Sequence, residues 1–354
     1  MLVRVLQPDA AGVREAARLL GAGQPVVMPT ETVYGLAADA VVPAAVARVF
    51  EAKERPLFDP LIVHLAATRP RTALGGVAVL DALGSGAQRA FDVLTEALWP
   101  GPLTLILPRD AAIGELVTAG LQTVAVRMPA HPVAQRLLWA FGGPLVAPSA
   151  NRFGSISPTS AGAALAELDG VVEAVIDGGP CAVGVESTIL AIDPDGTLRL
   201  LRPGGVSLEQ LRALVGEIRA PARAPDGIVE APGQTSRHYA PRTPLLLLPG
   251  PLDDLDDATL RRHMGGRGPV SLLRVVGPRA SALQRLQGLG IEVLEIISLS
   301  EGGDLAEAAR GLFAALRRLD QGGAPRLIAE PCPSVQGLGH AITDRLRRAA
   351  AARG

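Results

Sequence analysis

The chain is poor in the residues that mark several function classes. It has two cysteines, Cys181 and Cys332, in 354 residues. Each lies beside a proline and the two are far apart, so they give neither a metal-ligand spacing nor a disulfide framework. A reducing compartment, the cytoplasm, is the expectation. No run of 18 apolar residues occurs, so no membrane span is expected. Met1 to Asp9 lacks the apolar core of a signal peptide. Basic and acidic residues number 34 and 35, a formal charge of −1, which excludes a global basic footprint for nucleic acid. The glycine-rich phosphate cradle of a P-loop is missing. Lysine is scarcest of all: Lys53 is the only one among the 34 basic residues. Lysine differs from arginine in being a compact point charge whose pKa burial can lower.

What is present fits a globular chain of two domains: 48 % apolar residues over 354 positions can fill two cores. In residues 1–217, strand patterns at Val3–Leu6, Pro25–Pro29, Leu61–Leu65, Leu103–Leu107, Thr123–Met128, Leu145–Ala147, Val172–Ile176, Ser187–Ile192 and Thr197–Leu201 interleave with helical ones. The helices run over Ala11–Leu20 behind an Asp9 cap, Pro43–Ala52, Ala87–Leu98, Pro132–Phe141, Ala161–Leu168 and from Ser207 to Val215, the last opened by a capping box. Strands and helices do not strictly alternate, which argues a mixed α/β sheet. Residues 218–243 carry no period and read as a linker. In residues 244–354 strands at Leu245–Leu248, Val270–Val276, Ile291–Ile296 and Arg326–Ala329 alternate with helices. That spacing predicts a smaller doubly wound parallel α/β domain, without a GxGxxG after its first strand.

Four polar groupings fall at strand ends or turns, where α/β folds place ligands. They are Thr30/Thr32/Tyr34; Lys53/Arg55 with His64; Thr123/Arg127 with Ser149/Asn151 and Ser155/Ser157; and Glu186-Ser187-Thr188 with Arg202-Pro203-Gly204. Cations and small hydroxyls together suit a phosphate-bearing ligand plus a small polar substrate. Each has a bland reading too. Hydroxyls at turns usually close turns, a cation at the end of a helix meets the helix dipole, and a histidine at a strand end is more often structural than catalytic.

The ordered motifs say more. Pro29-Thr30-Glu31-Thr32-Val33-Tyr34-Gly35-Leu36, Lys53-x-Arg55-Pro56, Pro60-Leu61-Ile62-Val63-His64, Trp99-Pro100-Gly101-Pro102-Leu103-Thr104, Val126-Arg127-Met128-Pro129, Pro148-Ser149-Ala150-Asn151, Ser157-Pro158-Thr159, Glu186-Ser187-Thr188-Ile189 and Arg202-Pro203-Gly204 resemble the YrdC family over about residues 5–215. His238-Tyr239-Ala240-Pro241 and Asp344-Arg345-Leu346 resemble its long form, with an appended C-terminal domain. The resemblance implies a twisted mixed α/β sheet with a concave cavity. It also implies synthesis of L-threonylcarbamoyl-AMP from L-threonine, bicarbonate and ATP, with Mg²⁺ arriving on the ATP. A separate threonylcarbamoyl transferase would then carry the group to the adenosine beside the anticodon of ANN-decoding tRNAs.

Residue by residue, the resemblance places Lys53, Arg55, Ser149 and Asn151 in catalysis. It places Thr32, His64, Arg127, Ser149 and Ser187 around threonine. Arg55, Asp59, Thr123, Ala147, Ser157, Arg202 and Tyr239 fall on nucleotide positions, with Tyr239 on a linker lid. Asp59 stands where the family commonly has asparagine. A carboxylate only accepts hydrogen bonds and adds negative charge near phosphates. The residues before His238 also depart from the usual pattern. Two other readings remain: a double-stranded RNA-binding module with weak RNA contact through local arginines, and a carbamoyl-phosphate enzyme like the YrdC-like modules of hydrogenase maturation, whose acylphosphatase and zinc-finger segments this chain lacks.

Overall fold

The computed structural model describes residues 3–219, 229–234, 238–266 and 268–351. They fall into two compact units. One comprises Met1–Phe153, Ser157–Ala182 and Glu186–Thr235; the other comprises Gly154–Ile156, Val183–Val185 and Ser236–Gly354. Of the stretch read as a linker, residues 220–228 and 235–237 lie outside the described residues.

The first unit holds strands β1 (Arg4–Leu6), β2 (Val26–Met28), β3 (Gly35–Asp39), β4 (Ile62–His64), β5 (Leu103–Pro108), β6 (Thr123–Arg127), β7 (Leu145–Val146), β8 (Ala174–Ile176), β9 (Thr188–Ile192) and β10 (Leu198–Arg202). Its helices are α1 (Ala10–Gly21), α2 (Pro43–Lys53), α3 (Pro70–Ala73), α4 (Ser85–Leu98), α5 (Glu115–Thr118), α6 (Pro132–Phe141), α7 (Ala161–Leu168) and α8 (Leu208–Val215). The strands form one mixed sheet in the order β1-β8-β2-β3-β7-β4-β6-β5-β9-β10. Local signals set the helix ends. Asp9 accepts from Gly12 N to open α1, and Ser207 with Gln210 forms the capping box of α8. The sequence reading missed β3, whose Gly35-Leu36-Ala37-Ala38-Asp39 has no β-branched residue. Its pairing with β2 and β7 makes it a strand.

Alternation along the strands divides the apolar side chains between the two faces of the sheet. One face is covered along its length. Val27, Leu36, Val63, Val126, Val146, Leu105 and Leu190 share a core with Val46, Val49 and Phe50 of α2, Phe91 and Leu94 of α4, Ala164 and Leu168 of α7 and Leu211 of α8. The other face is covered by helices only at the β1–β7 end. There Val13, Ala16, Leu19 and Leu20 of α1 and Val133, Leu137 and Leu138 of α6 pack on Val26, Met28, Ala37 and Leu145. Over β4, β6, β5, β9 and β10 the same face carries a small apolar cluster of Ile62, Ala125, Ile106, Ile189, Ala191 and Leu201, joined by Ala231. This half-face holds the candidate site.

The second unit has a four-stranded parallel sheet of β11 (Leu245–Leu247), β12 (Val270–Val276), β13 (Val293–Ser300) and β14 (Arg326–Ala329), in the order β11-β14-β12-β13. Helices α9 (Asp257–Met264), α10 (Arg279–Gly288), α11 (Leu305–Gln321) and α12 (Leu338–Ala350) connect and follow the strands. The chain steps outward from β11 to β12 to β13, then returns to place β14 inside. This is the doubly wound arrangement that the alternating pattern predicts. Strand β13 runs two residues later at its start and four later at its end than the pattern suggested. Its half-exposed edge position blurs the periodicity.

Candidate active site

Cross-strand partners point to the same side of a sheet. His64 pairs with Arg127, Arg127 with Thr104, Thr104 with Ile189, and Ile189 with Arg202. These five residues, on five adjacent strands, therefore form one row on the half-open face. One repeat along the strands comes the apolar floor of Ile62, Ala125, Ile106 and Ala191. Thr123 lies on the same side of β6 as Arg127, about 13 Å along the strand. Ala147 follows β7, its N–H donating to Ile62 O at 3.1 Å.

Arg127 is buried and fixed on three sides. Nη1 donates to Thr32 Oγ1 at 2.8 Å, Nε to Gly101 O at 3.3 Å, and Nη2 lies 2.7 Å from Glu31 Oε1. Thr32 sits in a turn closed by Thr30, whose hydroxyl donates to Val33 O at 2.6 Å and lies 2.9 Å from Thr32 Oγ1. Burial alone would raise the Glu31 carboxyl. The Arg127 charge and hydrogen bonding hold it below its ordinary value. Tyr34, grouped with these threonines by sequence, donates instead to Gly179 O at 2.7 Å and accepts from Gly178 N at 3.1 Å. It closes a loop.

His64 is buried, with Nδ1 3.2 Å from Ile62 O. A carbonyl oxygen only accepts, so Nδ1 carries the hydrogen and Nε2 keeps its lone pair. Burial, with Arg127 nearby, lowers the imidazole to about 3. His64 is therefore a neutral acceptor at physiological pH.

Ser187 Oγ lies 2.7 Å from Thr104 Oγ1 and accepts from Arg202 Nη2 at 3.2 Å. Arg202 also donates to Ser187 O through Nε and Nη2, and to Pro232 O through Nη1. The Arg202-Pro203-Gly204 turn lies flat on the loop before β9. A Cβ at Gly204 would come within 2.4 Å of Glu186 O and Thr188 N, so only glycine fits. Ser157 Oγ donates to Glu186 Oε1 at 2.6 Å, next to Ser187 in sequence.

Lys53 ends α2, where the chain turns through a left-handed Glu54. It is buried, and Nζ donates to Ser149 O and Asn151 O at 2.5 Å each. Two of its N–H donors thus fasten the Pro148–Asn151 turn. Burial, with Arg55 beside it, lowers its pKa well below the ordinary lysine value. Arg55 Nε donates to Asp59 O at 3.1 Å and Nη2 to Pro60 O at 2.8 Å, with Asp59 Oδ2 2.9 Å away. Burial raises the Asp59 carboxyl above its ordinary value against the opposing pull of Arg55, Lys53 and Arg202. Asn151 is buried and donates to Arg152 O; Ser149 is half-buried and bridges Gly35.

Tyr239 belongs to the second unit. It is buried in a left-handed conformation, with Phe313 at 5.4 Å and the Arg345 guanidinium 5.2 Å from its ring centre. The described part of the linker is not loose. Ala231 is wholly buried on the apolar floor, Glu230 pairs with Arg199, and Gln234 Oε1 accepts from the N–H groups of Glu230 and Ala231. Sequence reasoning gave no individual role to Thr104, Glu31 or Glu186, although Glu186 stood in one of the polar groupings. Their signal was alternation on β5 for Thr104 and adjacency to assigned residues for the two glutamates.

A half-covered sheet face with two anchored guanidinium groups, converging hydroxyls and an apolar floor is the kind of site that α/β enzyme domains build for small ligands. Known proteins narrow that class. A family model for Sua5, YciO and YrdC, described as "Telomere recombination", matches residues 18–204, and one described as "Threonylcarbamoyl-AMP synthase, C-terminal domain" matches residues 206–351. The threonylcarbamoyl-AMP synthase of Pyrococcus abyssi is 38% identical over 95% of this chain and 93% of its own, and that of Bacillus subtilis is 38% identical over 96% and 93%. The crystal structure of P. abyssi Sua5 complexed with L-threonine is 36% identical, with a TM-score of 0.85 over 100% of this chain and 98% of that one. The chain belongs to the threonylcarbamoyl-AMP synthase family, in the long form that its motifs resemble.

Proposed function

We propose that the chain makes L-threonylcarbamoyl-AMP from L-threonine, bicarbonate and ATP in the cytoplasm, and passes it to a threonylcarbamoyl transferase acting on tRNA. The row from His64 through Arg127 and Thr104 to Arg202 carries this reading. Arg127 receives the threonine carboxylate, with Thr32 and Glu31 fixing its angle. His64 Nε2 accepts a hydrogen bond from the substrate and does not compete for its proton. The threonine amine adds to the carbon of CO₂ with loss of a proton, or to that of bicarbonate with loss of water, giving a carbamate. A carbamate oxygen then attacks the α-phosphorus, and the bond to pyrophosphate breaks.

Ser149, Asn151 and Ser187 flank the carbamate, with Lys53 holding the turn that carries the first two. Arg55 and Arg202 meet the phosphates; the apolar floor between Thr123 and Ala147 takes the nucleoside, with Ser157 at its edge. Catalysis is by positioning and fixed charge. Cover over the floor protects the carbamate, which loses CO₂ readily. Among the described residues no group of three or more His, Cys, Asp or Glu could hold a metal ion. Mg²⁺ would arrive on ATP and offset phosphate charge there.

The test is mass spectrometry after incubation with ATP, L-threonine and bicarbonate. A product joining AMP to a threonylcarbamoyl group, with equimolar pyrophosphate, is expected. ATP consumption independent of threonine would overturn the reading.

A further inference from the structure

Asp59 is wholly buried, yet neither carboxylate oxygen receives an aligned hydrogen bond among the described residues. Oδ2 lies 2.9 Å from Arg55 Nη2, and Arg55 also donates to the carbonyls of Asp59 and Pro60. The guanidinium is thus held by backbone, and the carboxylate stands beside it as counter-charge. A buried carboxylate is stabilised by hydrogen-bond donors or by a paired charge. Glu330 of this chain has donors: Oε1 accepts from Val275 N and Val276 N, and Oε2 from Leu252 N. Among the described residues Asp59 has no such backbone donors and, like Glu31, rests against one guanidinium. The charged groups acting on Asp59 are Arg55, just beyond the end of α2, Lys53, at that end, and Arg202 at the end of β10. Glu167 of α7 acts on Lys53.

These are the cations that the proposed reaction assigns to, or sets beside, the phosphates. We propose that Asp59 is a proton-linked counter-anion of the ATP site. Ionised, it neutralises the Arg55–Arg202 cluster before substrate arrives; when the triphosphate takes over those cations, Asp59 binds a proton from solvent. The group is primed for this, because burial already pushes its carboxyl up against the pull of the three cations. A polyphosphate brought close adds repulsion in the same direction. This inference rests on the ATP-site reading above and assigns Asp59 a positioning role.

The test is calorimetry of Mg²⁺-ATP binding to the full chain near pH 7, in two buffers of different ionisation heat. Wild type is expected to take up a large fraction of a proton per ATP, and its Kd to rise with pH by up to about tenfold per unit. Asp59→Asn removes the charge with little change of shape. It is expected to abolish that uptake, flatten the pH dependence and tighten ATP binding at pH 8. Equal proton uptake in both proteins, or a pH-independent Kd in wild type, overturns the proposal. The wild-type buffer comparison decides the matter even if the variant folds poorly. Threonine-dependent AMP transfer, followed in the same samples, separates the two readings. Turnover without proton linkage sinks only the role of Asp59, whereas failure of wild type to bind ATP sinks the ATP site and this proposal together.

Discussion

Lys53 Nζ donates to the carbonyl oxygen of Ser149 at 2.5 Å. With its second bond, to Asn151 O, the chain's only lysine clamps a turn that carries two candidate catalytic residues. A phosphate-binding role and a clamping role predict different losses. Lys53→Met leaves two carbonyls without that donor, at about 1–3 kcal/mol each. Thermal unfolding should therefore shift down by several degrees, and kcat should fall steeply while ATP affinity changes little. A large loss of ATP affinity at unchanged stability would assign Lys53 to the phosphates instead.

Arg127 should report on threonine. Its bonds to Thr32 and Gly101 and its pairing with Glu31 aim one guanidinium fork across the row. Lysine keeps the charge but not the fork. Arg127→Lys is expected to raise the KM for threonine by roughly 10- to 100-fold, the worth of a charge-assisted bond, with ATP affinity nearly unchanged. Steady-state kinetics varying each substrate in turn checks this, and a matching rise in the ATP constant would contradict it.

The sequence carried most of the sheet because its strands are short Val-, Ile- and Leu-rich runs between glycine and proline turns. It hid β3, where Gly35 to Asp39 offer no bulk and pairing supplies the stabilisation. Cations and hydroxyls were legible as a set, but their partners were not. Lys53 and Arg55 look alike in the sequence, as two cations in one loop. Only the fold shows that Lys53 is turned to the Ser149 turn and Arg55 to Asp59 and Pro60. Thr104 lies one sheet rung from Arg127 yet 23 positions away in the chain, a proximity that no local pattern encodes.

Thr104 supplies a prediction of its own. Its hydroxyl lies 2.7 Å from Ser187 Oγ, which also accepts from Arg202. Thr104→Val keeps the shape and removes one bond, so kcat/KM is expected to fall up to about tenfold, the worth of roughly 0.5–1.5 kcal/mol. Restoring the hydroxyl with Thr104→Ser should recover much of the loss. Equal activity of the valine and serine variants would remove Thr104 from the site.

His64 gives the chain a directional response to acid. Its folded pKa is lowered to about 3 by burial, from an ordinary value of 6.5. Between those values the unfolded chain binds a proton that the folded chain does not, so stability rises with pH across the window and is lost as pH falls from 6.5 towards 3. The slope from this one group is about 1.4 kcal/mol per pH unit. His64→Asn keeps a donor for Ile62 O and cannot titrate. Urea unfolding at pH 7 and at pH 4.5 should therefore show a smaller acid loss in the variant than in wild type. The same neutrality predicts that kcat/KM for threonine has no limb belonging to His64 between pH 5 and 8. A limb near pH 6.5 that vanishes in His64→Asn would show that the imidazole titrates in the working range, and would give it the role of proton acceptor.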